Sequence, residues 1–291
     1  MQTIDPKKIS VPHLFGYLTG AVGPRPIAFA STIDTQGRVN LAPFSFFNVF
    51  GANPPILVFS PSRSGRDNST KNTLDNVLEV PETTINMVDY AMVQQMSLAS
   101  TAYPKGVNEF VKAGLTELAS ESVQPPRVAE SPVQFECKVI EVKPLGTEGG
   151  AGNLVICEIV KIHLKEEVLD TNGAIDPLKI DQVARMGGNW YSRANQGLFE
   201  VPKPITQLGI GIDQIPEAIR LSTVLTGNDL GMLGNVEQLP TSEAIVEFVS
   251  KHPEIQKLML SGDQNKLHKI AQKYLVEQNV NNAWKVLLAK L

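Results

Sequence analysis

Residues 60–73 read Ser-Pro-Ser-Arg-Ser-Gly-Arg-Asp-Asn-Ser-Thr-Lys-Asn-Thr. Hydroxyls, two arginines and a lysine gather there, just after the apolar run Ile56-Leu57-Val58-Phe59 and just before residues 73–78, which read as a short helix stopped by Pro81. That combination is anion chemistry. A helix start carries unpaired N–H groups and partial positive charge, which favour a phosphate dianion. Arginine forks clamp phosphate through paired hydrogen bonds, and lysine adds a point charge. The spacing is not that of a nucleoside triphosphate loop: counting from Gly65, Thr70 occupies the position where the second glycine belongs.

A second segment, Ala42-Pro43-Phe44-Ser45-Phe46-Phe47-Asn48, places a proline inside a strand-like run. Proline removes a ladder donor and implies an edge or a bend, and bent backbone leaves N–H and C=O groups free to read the edge of a heterocycle. A ligand with a flat ring at one end and a phosphate at the other suits both segments, and flavin mononucleotide (FMN) is such a ligand. Taken alone, each segment has a plainer reading. The first is also a solvated loop with Thr73 as an N-cap, and the second a bulged strand with Phe44, Phe46 and Phe47 in the core.

The elements that must position these segments follow from periodicity and breakers. Residues 25–33 alternate and end at Asp34-Thr35-Gln36-Gly37, which is hairpin chemistry; residues 38–47 run back, and residues 56–59 make a third strand. A strand over 83–88, a helix over 91–100 and a polar loop over 101–113 follow. Residues 133–143 and 153–164 are long strands joined by a glycine-rich tip at 146–152. Short strands with little strand–helix alternation predict a mainly β barrel with short helices. Past residue 206 the pattern turns helical: a short helix over 215–221, a turn-rich loop over 226–231, a helix begun by Thr241, another over 264–278, and a last stripe of Trp284, Leu287, Leu288 and Leu291.

Composition excludes several classes. The 291 residues are 42% hydrophobic and 19% charged with net charge -4, so no basic surface for nucleic acid is expected. No apolar run of about 18 residues predicts a membrane helix. The first ten residues, with Asp5, Lys7 and Lys8, lack the apolar region of a secretory signal, and a cytoplasmic location is expected. Cys137 and Cys157 lie in apolar strand runs and read as buried small hydrophobes. No zinc motif is present, and Gly209-Ile210-Gly211-Ile212-Asp213-Gln214 fails as a dinucleotide fingerprint at Gln214.

In order along the chain, Gly23-Pro24-Arg25-Pro26, residues 40–48, Asn53-Pro54-Pro55, Ser60 and Lys71-Asn72-Thr73 form a recognisable set. Ala129-Glu130-Ser131-Pro132, Glu136-Cys137 and Arg185-Met186-Gly187-Gly188-Asn189-Trp190-Tyr191 complete it. With these residues the sequence resembles the flavin reductase-like family, whose fold is the FMN-binding split β-barrel of Greek-key type. The resemblance covers residues 10–205 and leaves 206–291 as a helical C-terminal extension. It implies FMN in a groove at a homodimer interface. Arg25 and Asn40 would bind the cofactor, and the backbone of Ser45, Phe46, Phe47 and Asn48 would meet the ring system. Ser60, Ser62, Arg66, Lys71 and Thr73 would surround the phosphate. His163 would lie near the flavin pocket, and Gly187, Gly188 and Tyr191 would form a loop over the ring.

The chemistry implied is hydride transfer from NADH or NADPH, a transient reductant, to flavin N5, with the protein supplying position and field and no protein nucleophile. Three alternatives stay open: a flavoredoxin-like carrier reduced by a protein partner, a non-redox scaffold whose helical tail recruits a partner, and a pyridoxamine phosphate oxidase-like enzyme, which the motifs fit less well. A separate electron-acceptor protein is also compatible with the resemblance.

Overall fold

A computed structural model describes residues 1–202, 204 and 208–289. The chain divides into two compact units, Met1–Phe199 and Glu200–Leu291. The boundary expected between residues 205 and 206 falls outside the described residues, as does Leu291 of the last apolar stripe.

The first unit opens with helix α1 (Val11–Ala21) and then β1 (Ala28–Ile33), β2 (Val39–Phe44), β3 (Phe47–Ala52) and β4 (Pro55–Phe59). Helix α2 (Asn72–Glu79), β5 (Glu82–Asn86), α3 (Val93–Ala99) and α4 (Glu109–Ala113) follow. Two short pairs, β6 (Glu117–Leu118) with β7 (Arg127–Val128) and β10 (Val183–Arg185) with β11 (Tyr191–Arg193), flank the long hairpin β8 (Val133–Pro144) and β9 (Asn153–Leu164).

Seven strands form one antiparallel sheet in the order β2-β1-β5-β8-β9-β4-β3. Topology alone shows that this sheet curls. Laid flat, its six inter-strand gaps would hold the edge strands about 29 Å apart at ~4.8 Å each. Yet only Ser45 and Phe46 separate edge strand β2 from edge strand β3, and a linkage that short reaches roughly 10 Å. The two edges therefore meet at the Ser45–Phe46 corner, and the sheet is a barrel left open there.

Alternation along β1 explains its complete burial. Ala28 and Ala30 point into the barrel with Phe59, Ile85, Cys137, Val155 and Cys157, while Leu74 and Val77 of α2 join the same core. Phe29 points outward, where Met92, Met96, Ala99 and Phe110 of the α3–α4 layer cover it. The small alanines on the inner face leave room for the larger side chains opposite.

The expected cysteine burial is what the structure has: both thiols are free and buried, and they are not cross-strand partners, since Cys137 pairs with Ile159 and Cys157 with Val139. Burial pushes the Cys157 thiol up to about 12 and raises Cys137 as well. Neither is a usable nucleophile.

Several elements differ from expectation. The run 38–47 is not one strand; it breaks at Ser45, and β3 is a strand that the pattern did not announce. α1 is unannounced because it contains Pro12, Gly16 and Gly20 and only Thr19 on it is buried, so it has no inward stripe. The polar stretch 101–113 contains α4, begun by Asn108, whose side chain accepts from Phe110 N.

Among the described residues, the regular elements of the second unit are helices: α5 (Glu217–Arg220), α6 (Gly227–Gly234), α7 (Ser242–Ser250), α8 (Pro253–Ser261), α9 (Gln264–Val276) and α10 (Val280–Leu287). Its core gathers Leu233, Ile255, Leu275 and Trp284. Residues 226–231, expected as a loop, start α6 instead. Thr226 and Asp229 form a reciprocal capping box, which outweighs the glycines that suggested a turn. The Thr241 start of α7 is as expected, with its side chain accepting from Ala244 N.

Candidate functional site

Beside the open corner of the barrel lies a groove made of three cavities of about 640, 380 and 500 Å³. The first is lined by the 62–73 loop with Asn40, Thr101 and Tyr103. The second brings Ser45 and Phe46 together with Ser60, Ser62, Lys71 and Arg185. The third continues past Ser45 and Arg185 to Gln94, Ser97, Ser100 and Tyr191. Shared walls join them: Ser62 and Lys71 border the first and second, and Ser45 and Arg185 the second and third.

The corner and the loop are held in register by main-chain bonds. Ser60 N donates to Phe46 O at 2.9 Å, which ties the loop's start to the corner. Ser60 Oγ accepts from Asn153 N at 3.1 Å, and Asn153 Nδ2 donates to Pro61 O at 2.9 Å. The glycine-rich tip 146–152 packs against this loop: a Cβ on Gly152 would stand 2.8 Å from Ser60 Oγ. Arg63 is spent inside the loop, donating to Asn68 Oδ1 and Asn68 O at 2.7 and 2.9 Å. Hydrogen bonds from Ser64 and Ser69 hold the Asp67 carboxyl down at about 2, so it is a carboxylate at neutral pH.

Lys71, not Thr73, is the N-cap of α2, and no side chain caps the helix. Leu74 N and Asp75 N donate to Lys71 O at 2.8 and 3.2 Å. This leaves the N–H groups of Asn72 and Thr73 as the orphan donors of a helix start. The Thr73 side chain is buried, and its Oγ1 accepts from Asn40 Nδ2 at 2.8 Å, which fixes both residues at the floor of the first cavity. Glu109 lines the same cavity; burial raises its carboxyl, and it accepts from Leu41 N at 2.9 Å.

Most of the expected site residues converge on this groove: Asn40, Arg66 and Thr73 in the first cavity, Ser62 and Lys71 at its junction with the second, Arg25, Phe46 and Ser60 in the second, Ser45 where the second meets the third, and Tyr191 in the third. Arg25 is there as a brace. Its guanidinium donates to Thr19 O at 2.6 Å, to Met186 O at 3.0 Å and to Val22 O, tying the end of α1 to the 186 turn. Gly187 closes that junction, because a Cβ on it would lie 3.0 Å from Gly20 Cα.

The remaining residues are placed elsewhere. Phe47 pairs with Phe59 and packs on the barrel core, and Asn48 pairs with Val58 in the β3–β4 ladder. His163 does not line the groove. Its Nε2 stands 2.7 Å from Glu136 Oε1, in a buried cluster with Arg127 and Gln134. The strand end that carries it pairs with the start of β8, far along the hairpin from the Asn153 end that touches the loop.

Sequence reasoning gave no role to Arg185, Gln94, Ser97, Ser100, Tyr103 or Phe15, all of which line the groove. Arg185 stood within a quoted motif. Ser97 and Ser100 belong to the helix expected over 91–100, where nothing in their type or spacing marks a ligand contact.

The family model for the flavin reductase like domain matches residues 22–179. A protein of uncharacterised function from Halalkalibacterium halodurans is 36% identical over 203 residues, which is 69% of this chain and 96% of the relative. Another from Aquifex aeolicus is 38% identical over 62% of this chain and 90% of its own. Among solved structures, nitrilotriacetate monooxygenase component B from Bacillus cereus is 29% identical with a TM-score of 0.65, covering 69% of this chain and 98% of that one. The 2-nitrobenzoate 2-nitroreductase of Pseudomonas fluorescens is 26% identical with a TM-score of 0.62, covering 72% and 100%. Flavoredoxin from Desulfovibrio vulgaris, 22% identical with a TM-score of 0.53 and covering 62% and 92%, shares the fold.

Proposed function

The chain belongs to the flavin reductase-like family, and from that premise we propose that its groove holds FMN and that the protein is an NAD(P)H-dependent flavin oxidoreductase. The observation that carries this reading is that Ser45, Phe46, Ser62 and Lys71 line one cavity. A phosphate and a ring at opposite ends of one molecule need that juxtaposition.

The residues present fit the group. Lys71 and the Ser62 hydroxyl border the first and second cavities, and no carboxylate lines the second; the open N–H groups belong to Asn72 and Thr73 of the first cavity, which Asp67 and Glu109 also line. Arg66 adds charge from the first. Ser45 lies outside both strand ladders, so its main-chain groups are not committed to barrel pairing and can face a ring edge. Bound there, FMN supplies acceptance of a hydride at N5 from NADH or NADPH and its passage to an acceptor. The protein's part is to hold phosphate and ring apart at fixed distance, to aim cationic and N–H groups at the ring's polar edge, and to leave the third cavity for a second molecule.

A homodimer, Greek-key strand order in its fuller sense, residues 206–291 as an appended domain, and a cytoplasmic site of action belong to the same proposal. The exposed apolar side chains Val11, Phe15 and Leu18 of α1, with Val22 just after it, are the dimer's support; sedimentation is expected to give twice the chain mass, and a monomer at micromolar concentration contradicts it. Reduced flavin passed to a partner protein is compatible with the likeness to a monooxygenase component.

Anaerobic mixing of FMN-loaded protein with NADH or NADPH tests the enzyme reading. The flavin absorbance near 450 nm is expected to bleach at roughly 1–1000 per second, the ordinary range of turnover. No bleaching with either nucleotide, with FMN firmly bound, turns the reading to a carrier reduced by a protein.

A further inference from the structure

We propose that the third cavity is the subsite for the second substrate and that Arg185 is its anchor, so that the molecules it takes carry an oxyanion, a carboxylate or a phosphate. This rests on the FMN reading above and names the substrate class of the same site.

The second and third cavities together are lined by Arg25, Lys71 and Arg185, and by no aspartate or glutamate. The three cations differ in what else they touch. Lys71 stands at the loop end, against the α2 start, where the cofactor phosphate belongs. Arg25 is buried and already donates to three carbonyls. Arg185 makes a single long bond, 3.3 Å to Trp190 O, and among the described residues no carboxylate lies within ion-pairing distance of it.

Arg185 is also held in place. Its main chain bridges Arg25 through two bonds of 2.9 and 2.8 Å, and its guanidinium lies over the Tyr191 ring, 4.7 Å from the centroid. A stacked guanidinium is orientated without neutralisation, so its fork stays available for a planar anion. Ser97, Ser100, Gln94 and Asn189 line the same cavity and can accept or donate around a polar group. A cation left without a carboxylate in a groove of this kind favours an anionic ligand. It would stand on the side of Ser45 away from the phosphate loop.

FMN-loaded parent, Arg185→Gln and Arg185→Lys test this by calorimetry and by the shift of the flavin spectrum, with benzoate, benzamide, AMP and adenosine as probes. Benzoate or AMP is expected to bind the parent at least tenfold more tightly than its neutral counterpart. Which of the two pairs shows the gap tells carboxylate from phosphate. With FMN held saturating for every protein, because Arg185 borders the second cavity as well as the third, Arg185→Gln should erase the gap and Arg185→Lys should keep part of it. Equal affinity for charged and neutral probes in the parent overturns the inference. So does a gap that survives Arg185→Gln, or a collapse of FMN affinity in that variant, which would assign Arg185 to the cofactor. A protein that takes up no FMN overturns the functional reading itself, and this inference with it.

Discussion

Trp284→Ala is expected to remove about 3–5 kcal/mol from the helical unit, the usual cost of truncating a fully buried tryptophan. Trp284 is completely buried in a core built from residues 210–289, and its Nε1 donates to Leu233 O at 3.1 Å. The substitution removes the ring's packing, leaves a cavity and orphans the Leu233 carbonyl. A unit of this size holds on the order of 5–14 kcal/mol, so the loss is a large share of its stability. For a domain of that length it corresponds to a fall of roughly 12–40 °C in Tm. Calorimetry should show the loss in one transition, while FMN affinity stays unchanged, because every described residue lining the groove lies between Pro12 and Tyr191. A parallel loss of FMN binding contradicts the separation of the two cores.

Glu136→Ala should cost the barrel a similar amount, about 3–5 kcal/mol, because it strips the acceptor from a buried charged cluster. Glu136 is fully buried and accepts from Glu121 N at 2.9 Å, Ser122 N at 2.6 Å and His163 Nε2 at 2.7 Å, with Arg127 Nε 3.6 Å away. Burial by itself pushes its carboxyl up; the N–H of Glu121, the His163 bond, the N–H of Ser122 and the His163 charge outweigh that and hold it below the usual carboxylate range. The sign of the pH dependence follows. A carboxyl lowered in the folded state contributes stability that is present above its unfolded value, about 4.3. That stability is lost as pH falls through the lower folded value. Urea midpoints of the parent should therefore drop below about pH 4. Glu136→Gln should lack that part of the drop and start lower at pH 7. Parallel profiles for parent and Glu136→Gln would remove the carboxylate from the account.

The barrel was legible because its strongest signals are local. The alternation in β1, the Asp34–Gly37 turn and the glycine tip between β8 and β9 each have a short-range cause. Both halves of the site were legible for the same reason: proline in a strand run and a hydroxyl-rich loop before a helix are properties of neighbouring residues. What was not legible depends on distant partners. Helix α1 is glycine-bearing and carries its apolar side chains outward, so no inward stripe announces it. His163 could be assigned only by resemblance, since its partner Glu136 lies diagonally across the β8–β9 ladder, opposite Lys161. Arg25 carries the right charge for a ligand contact, but α1 and the 186 turn consume it, and no spacing rule brings those segments together.

The central claim is that two loops grip opposite ends of one cofactor, and comparing FMN with riboflavin in parent and Lys71→Ala tests it most directly. Flavin fluorescence quenching gives the four affinities, and the cycle isolates the coupling between the lysine and the ligand's phosphate. The parent should prefer FMN, Lys71→Ala should weaken FMN by roughly 10–100-fold as expected for a lost charge-assisted bond, and riboflavin should bind both proteins alike. An FMN affinity that Lys71→Ala leaves untouched, or a riboflavin affinity that falls in step with it, contradicts the account.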